Sequence, residues 1–193
     1  MADTSVTVLG IGNPIMGDDG TGLAILARLK TKLAGGNPAG LDAADDENSW
    51  RPTAKRGPVD QVADPGTIAP EIINGVGFVN GGTSGLELLD TIRDAERLLV
   101  LDSVTGPGQP GDVVVLVGDQ VPRLVKSKLS PHQVGLLDLL AAAQLTGHSP
   151  DTVAVVGIVA QSAELGVGLS PVVADALVPA TEQAARLVAD WTR

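Results

Sequence analysis

Five runs dominated by Val, Ile and Leu punctuate the chain: Val6 to Ile11, Gly75 to Val79, Leu98 to Ser103, Val113 to Val117 and Val153 to Val159. They are nearly continuous in apolar character rather than alternating, which is the pattern of strands covered on both faces. Helical patterns separate most of them. The reading is therefore an α/β fold, a twisted, mostly parallel five-stranded mixed sheet with helices on both faces. One connection is different: Thr105-Gly106-Pro107-Gly108-Gln109-Pro110-Gly111 has turn chemistry and is too short for a crossover helix. It predicts that the strands on either side of it pair antiparallel.

Helix starts are also legible. Ser84 with Glu87 fits a capping box, as does Ser130 with Gln133 around Pro131, and Ser170 with Pro171 opens the last helix. The stretch from about Ala34 to Ala69 breaks the alternation, being rich in Gly, Pro, Ala and charge with little apolar periodicity. Residues 1–193 thus read as a single domain carrying a flexible insertion at about 34–69.

Composition removes several function classes. There are no cysteines, so thiolate nucleophiles, Cys-ligated zinc and iron-sulfur clusters are excluded, and any metal must be held by oxygen and imidazole. A net charge of −10 works against nucleic acid, because binding a phosphate backbone depends on Lys and Arg. Only Trp50, Phe78 and Trp191 are aromatic beyond the two histidines, too few for a base-stacking platform. The longest apolar runs fall far short of the roughly 18 residues of a membrane span, and no export signal is visible at the N-terminus. The expectation is a cytoplasmic protein, favoured as a monomer, without nucleic-acid or membrane partners.

Chemistry concentrates in three places. Gly10-Ile11-Gly12-Asn13-Pro14-Ile15-Met16-Gly17-Asp18-Asp19 follows the first strand and precedes a helix from about Gly20 to Leu33. A dinucleotide fingerprint would need a third glycine where Ile15 stands. Gly12 and Gly17 have P-loop spacing, but Asp18-Asp19 replace the Lys-Ser/Thr that should follow, and two carboxylates repel phosphate. The same place suits a cation; the alternative is that both acids cap the helix.

Asp102 closes the run Leu98 to Leu101 and needs a partner if buried, a metal or a protonated side chain, unless it is a turn former. His132 sits in Ser130-Pro131-His132-Gln133 at a helix start, where the helix dipole favours the neutral imidazole that ligates metals; the alternative is a cap-side surface residue. His148, in the turn Thr146 to Pro150, reads as surface. No G-x-S-x-G elbow is present, so a serine hydrolase would need an unmarked serine with His132 as base. A carboxylate dyad drawn from Asp18, Asp19 and Asp102 stays open, as does a small-molecule or nucleotide site at the Gly10 to Asp19 loop.

With these pieces placed, the chain resembles the hydrogenase maturation proteases, endopeptidases that trim the C-terminal extension of nickel-iron hydrogenase large subunits. The resemblance rests on Gly10-Ile11-Gly12-Asn13 with Gly17-Asp18-Asp19-Gly20, Gly81-Gly82-Thr83 with Gly85 and Leu88-Leu89, Asp102, Ser130-Pro131-His132-Gln133, and Gly168-Leu169-Ser170-Pro171. It covers nearly the whole chain outside 34–69. It implies that Asp19, Asp102 and His132 are the catalytic and metal-binding residues. It also implies that the metal is nickel, that of the substrate, so that cleavage of the large-subunit precursor follows nickel insertion. The nickel would act either as an address or by activating water.

There are three departures. Asn80 stands where the family usually has Asp before Gly-Gly-Thr, keeping shape and a hydrogen-bonding oxygen but losing charge. Val159-Ala160-Gln161 lacks a proline common there, and the 34–69 insertion has no usual counterpart. The Asn80 change leaves a second reading, a catalytically impaired metal-dependent binder or checkpoint protein for the same precursor.

Overall fold

The computed structural model describes residues 5–38, 68–106, 108–121 and 134–193. Six strands form one sheet: β1 (Val6–Ile11), β2 (Glu71–Ile73), β3 (Val76–Gly82), β4 (Arg97–Val104), β5 (Val113–Val117) and β6 (Thr152–Val159), in the spatial order β2-β3-β1-β4-β6-β5. The four central strands β3, β1, β4 and β6 run parallel, while β2 and β5 lie antiparallel on the two edges. The helices are α1 (Thr21–Leu33), α2 (Leu89–Arg93), α3 (Val134–Leu145) and α4 (Pro171–Trp191).

The α/β fold with a mixed, mostly parallel sheet and helices on both faces is as expected, with three corrections. Among the described residues there are six strands rather than five. The extra one, β2, is only three residues long and is carried by a hairpin whose two turn residues, Asn74 and Gly75, have positive φ of 50° and 81°. That is the two-residue turn whose twist suits a hairpin. The second correction concerns β5, which runs opposite to β4 as predicted but does not pair with it. Strand β6 inserts between them, and Gly111 N–H donates to the Val159 carbonyl as β5 begins. A seven-residue link easily spans the roughly 10 Å of two strand spacings, so its brevity fixes direction but not adjacency.

The third correction is at Ser84, which does not cap the following helix. Gly85 occupies that position, its N–H donating to Glu87 Oε2, and a short 3-10 turn (Leu86–Leu88) leads into α2. The Ser130–Gln133 start and the body of the 34–69 insertion, residues 39–67, lie outside the described residues. Of the insertion's ends, Ile68 packs against the core.

Two apolar layers sandwich the sheet. Val6, Val8, Phe78, Leu99, Leu101 and Val156 face α1 and α4, while Leu9, Val79, Leu98, Val100 and Val155 face α2 and α3. Among the described residues no helix is long and apolar enough to cross a membrane.

One of the fold's closest approaches is at the head of α1. A Cβ on Gly22 would lie 2.2 Å from the Ile11 carbonyl oxygen and 2.3 Å from that of Leu101. The helix therefore rests directly on the backbones of β1 and β4, and neither oxygen can yield without disturbing the sheet. Gly22→Ala is expected to cost about 3 kcal/mol; chemical denaturation checks this, and a change within about 0.5 kcal/mol would show that the contact is slack.

Candidate functional site

The loops after β1 and β4 leave the sheet in opposite directions. From β1 the chain passes through α1 to β3 on one side, and from β4 it passes through β5 and α3 to β6 on the other. The crevice between the carboxyl ends of β1 and β4 is therefore the switch point at which open α/β sheets bind ligands. Both carboxylates singled out from the sequence, Asp19 and Asp102, are brought to it.

Asp19 arrives by a fold-back of the loop after β1. Gly12, at φ 135°, donates its N–H to the Gly82 carbonyl at 2.9 Å, and a Cβ there would fall 1.9 Å from the Asp19 carbonyl oxygen. Only glycine permits that passage. A 3-10 turn (Gly17–Gly20) then sets Asp19 over the crevice, where its Oδ2 accepts the Asn13 N–H at 2.9 Å. Its Oδ1 is met by the Ser103 hydroxyl at 3.4 Å, and the residue is only 6% exposed.

Asp102 does not terminate its strand. β4 continues to Val104, with Asp102 opposite Gly157 of β6, whereas the pairing with β1 stops at Leu101. Asp102 is thus a buried strand residue standing just past the last β1–β4 pair, and the turn-former reading falls. Its Oδ1 accepts the Ser103 N–H at 2.8 Å. Ser103 links the two acids, its backbone on one and its hydroxyl on the other. The sequence reading missed Ser103; its only signal was its place directly after Asp102 at the end of an apolar run.

Asp18 and Asp19 divide their work. Neither side chain caps α1, whose N-cap is Gly20, so the capping alternative falls for both. Asp18 is 1% exposed and turns away from the crevice. Its carboxylate accepts the N–H groups of Gln161 (2.9 Å), Ser162 (3.0 Å) and Ser170 (2.6 Å), and the Ser170 hydroxyl (2.9 Å). Four donors replace the water it has lost. Ser170 opens α4 as predicted, but its hydroxyl serves Asp18 rather than the helix.

His132 lies outside the described residues. The helix that follows it, α3, packs on the face of the sheet to which Leu98 and Val100 point, and by strand alternation Asp102 shares that face. Among the described residues no group of three or more His, Asp or Glu side chains could hold a metal. His148 is exposed, with Nδ1 3.1 Å from the Thr146 carbonyl, beside Arg93 to Glu96 at the amino end of β4. That is the edge of the sheet away from the acids, as its surface reading expected.

Asn80 is exposed and takes no part in the Asp19–Ser103–Asp102 cluster. It pairs in register with Gly10 and lines a hollow of about 200 Å³ together with Leu23, Leu26, Ala27 and Phe78.

Comparison with known proteins agrees with this fold. A family model described as hydrogenase maturation protease matches residues 64–187. The hydrogenase 2 maturation protease of Escherichia coli K12 is 28% identical over 179 residues, 92% of this chain and 87% of that protein. The hydrogenase expression/formation protein HupD of Rhodobacter capsulatus is 31% identical over 190 residues, 96% of this chain and 72% of that one. Among solved structures, the hydrogenase maturating endopeptidase HybD from E. coli superposes with a TM-score of 0.71 at 27% identity, covering 96% of this chain and 92% of that one.

The division of labour between the two acids is open to measurement. Asp18→Asn puts an amide group among four donors and is expected to cost about 3 kcal/mol. Asp19→Asn, which keeps an acceptor for Asn13, should cost under about 1.5 kcal/mol. Thermal and denaturant unfolding of the two variants reads the difference, and equal losses would contradict it.

Proposed function

This chain belongs to the hydrogenase maturation protease family and is a peptidase, and we propose that it removes the C-terminal extension of a nickel-iron hydrogenase large-subunit precursor after nickel insertion. The observation that carries the reading is the meeting of Asp19 and Asp102 on Ser103, across a separation of 84 residues, at the switch point of the sheet. Both acids are only 6% exposed, and a cation bound there would offset the cost of burying charge at the crevice.

The nickel in this proposal belongs to the substrate. Among the described residues Asp19 Oδ1 is engaged by the long contact from Ser103 alone, which leaves it able to turn to a cation; Asp102 would supply a second carboxylate from the strand, and His132 a neutral nitrogen. Oxygen and nitrogen donors suit a divalent borderline metal, and three protein ligands leave positions for the groups that already hold it. Docking on the nickel would make cleavage conditional on metal insertion. The chain acts, in this reading, as a cytoplasmic monomer.

Chain connectivity supports the third ligand. Past Leu145 the chain turns beside Arg93 to Glu96 and enters β6 at its amino end, Asp151 N–H donating to the Glu96 carbonyl. A 12-residue helix is about 18 Å long, enough to traverse the sheet, so α3 starts toward the edge that carries the acids. His132 is two residues ahead of Val134. The non-cutting binder is not favoured, because Asn80 lies outside the carboxylate cluster and the Asp19–Ser103–Asp102 arrangement is intact without a charge there.

The test is to incubate the protein with nickel-loaded precursor and follow the shortening of the large subunit. Wild type should cut loaded precursor and leave nickel-free precursor whole; persistence of the full-length loaded chain would overturn the proposal. His132→Ala should lower processing by at least about 100-fold, the upper end of what losing an outer-shell partner costs, with stability changed by less than about 0.5 kcal/mol. Asn80→Asp should leave the rate within about threefold, well under the hundredfold and larger effects of a general acid or base.

A further inference from the structure

Of nine large apolar side chains exposed among the described residues, five gather at one edge. Ile15 (52% exposed), Leu86 (77%), Leu165 (80%), Val167 (91%) and Val172 all lie in or next to loops at the carboxyl end of the central strands, where Asp19 and Asp102 sit. Three of them form a unit. Met16 and Gly166 make a parallel bridge between the loop after β1 and the loop after β6, with Gly17 N–H donating to the Gly166 carbonyl at 2.8 Å and Gly166 N–H to the Ile15 carbonyl at 3.0 Å. Ile15, Leu165 and Val167 flank that bridge, and the alternation of extended chain puts Ile15 and Leu165 to the same side of it.

This lip is held in place. Asp18 N–H donates to the Ser162 carbonyl at 3.0 Å, and the buried Asp18 carboxylate accepts the three N–H groups and the hydroxyl at Gln161, Ser162 and Ser170. The segment carrying Leu165 and Val167 is therefore pinned at both ends to the residue next to Asp19. An apolar lip fastened in water gains nothing for the free protein, since apolar surface is stabilising only when it is covered.

We propose that the Ile15–Leu165–Val167 lip is the docking surface for an apolar segment of the large-subunit precursor, adjoining the bond to be cut. The assignment rests on the function proposed above and names its partner's contact. Continuity argues for this occupant: Ile15 lies on the loop that carries Asp19, and Leu165 and Val167 are bridged to that loop through Gly166, so the lip adjoins the approach to the carboxylates. Charge argues the same way. The protein carries a net charge of −10, yet Glu164 is the only charged residue between Ala160 and Ser170, so the lip offers apolar contact rather than the acidic surface found elsewhere.

The experiment measures affinity of the whole protein for nickel-loaded precursor, with the double variant Leu165→Ser/Val167→Ser set against Leu145→Ser. Leu145 is equally exposed (88%) but ends α3 at the opposite edge. The lip variant should weaken binding at least about tenfold, as loss of apolar anchors does, with an unchanged melting temperature, and Leu145→Ser should bind as wild type. Binding by the lip variant within twofold of wild type overturns the docking assignment while leaving the functional proposal standing. So does equal weakening by Leu145→Ser, or a dimer in sedimentation that the lip variant abolishes without loss of precursor affinity. Failure of wild type to bind or cut loaded precursor removes the functional proposal and the docking surface with it.

Discussion

A carboxylate can be taken out of water only where donors replace the hydrogen bonds it gives up, and Asp18 collects four of them from a single far segment, 161–170. That bargain ties the first loop of the chain to the approach and N-cap residue of its last helix. Without it, the loop after β1 would have only glycine-rich backbone to hold its shape, and the adjacent Asp19 would lose the fixed direction that brings it to Ser103. The site is therefore built by an acid that takes no part in it.

The backbone supplies the other half of the construction. Glycines at positions 12 and 22 let two segments approach closer than any Cβ allows, one folding the loop under Asp19 and the other laying α1 on β1 and β4. Divergence of the chain after β1 and β4 then leaves a crevice there, into which Asp102 projects because its strand outlasts the pairing with β1. Packing on both faces fixes the strands, and the strands fix the acids.

Much of this was legible in the sequence because parallel strands buried on both faces announce themselves as apolar runs. The bounds of β1 and β5 came out as read, and the others within one to three residues. What was missed has local reasons. β2 is short and half-polar, so the only sign of it was Asn74-Gly75, a hairpin signal that the alternation of long apolar runs overshadowed. Strand adjacency at β5 depended on β6, which arrives some 35 residues later in the chain, and no link length can reveal it. At the site, Asp19 and Asp102 were identifiable as candidates from residue type, one in the glycine-rich loop after an apolar run and the other closing such a run. The roles of Asp18 and Ser103 were not, since neighbouring acids look alike in sequence and only the fold decides which one turns inward.

The proposed function requires Asp19, Asp102 and His132 to share one cation. A crystal structure of the protein soaked with nickel or zinc measures this directly. It should show a single ion with an oxygen of Asp19, an oxygen of Asp102 and a ring nitrogen of His132 each at about 2 Å. An ion held by the two acids while the imidazole points to the opposite face of the sheet, or no ion at the β1–β4 crevice at saturating metal, would contradict it.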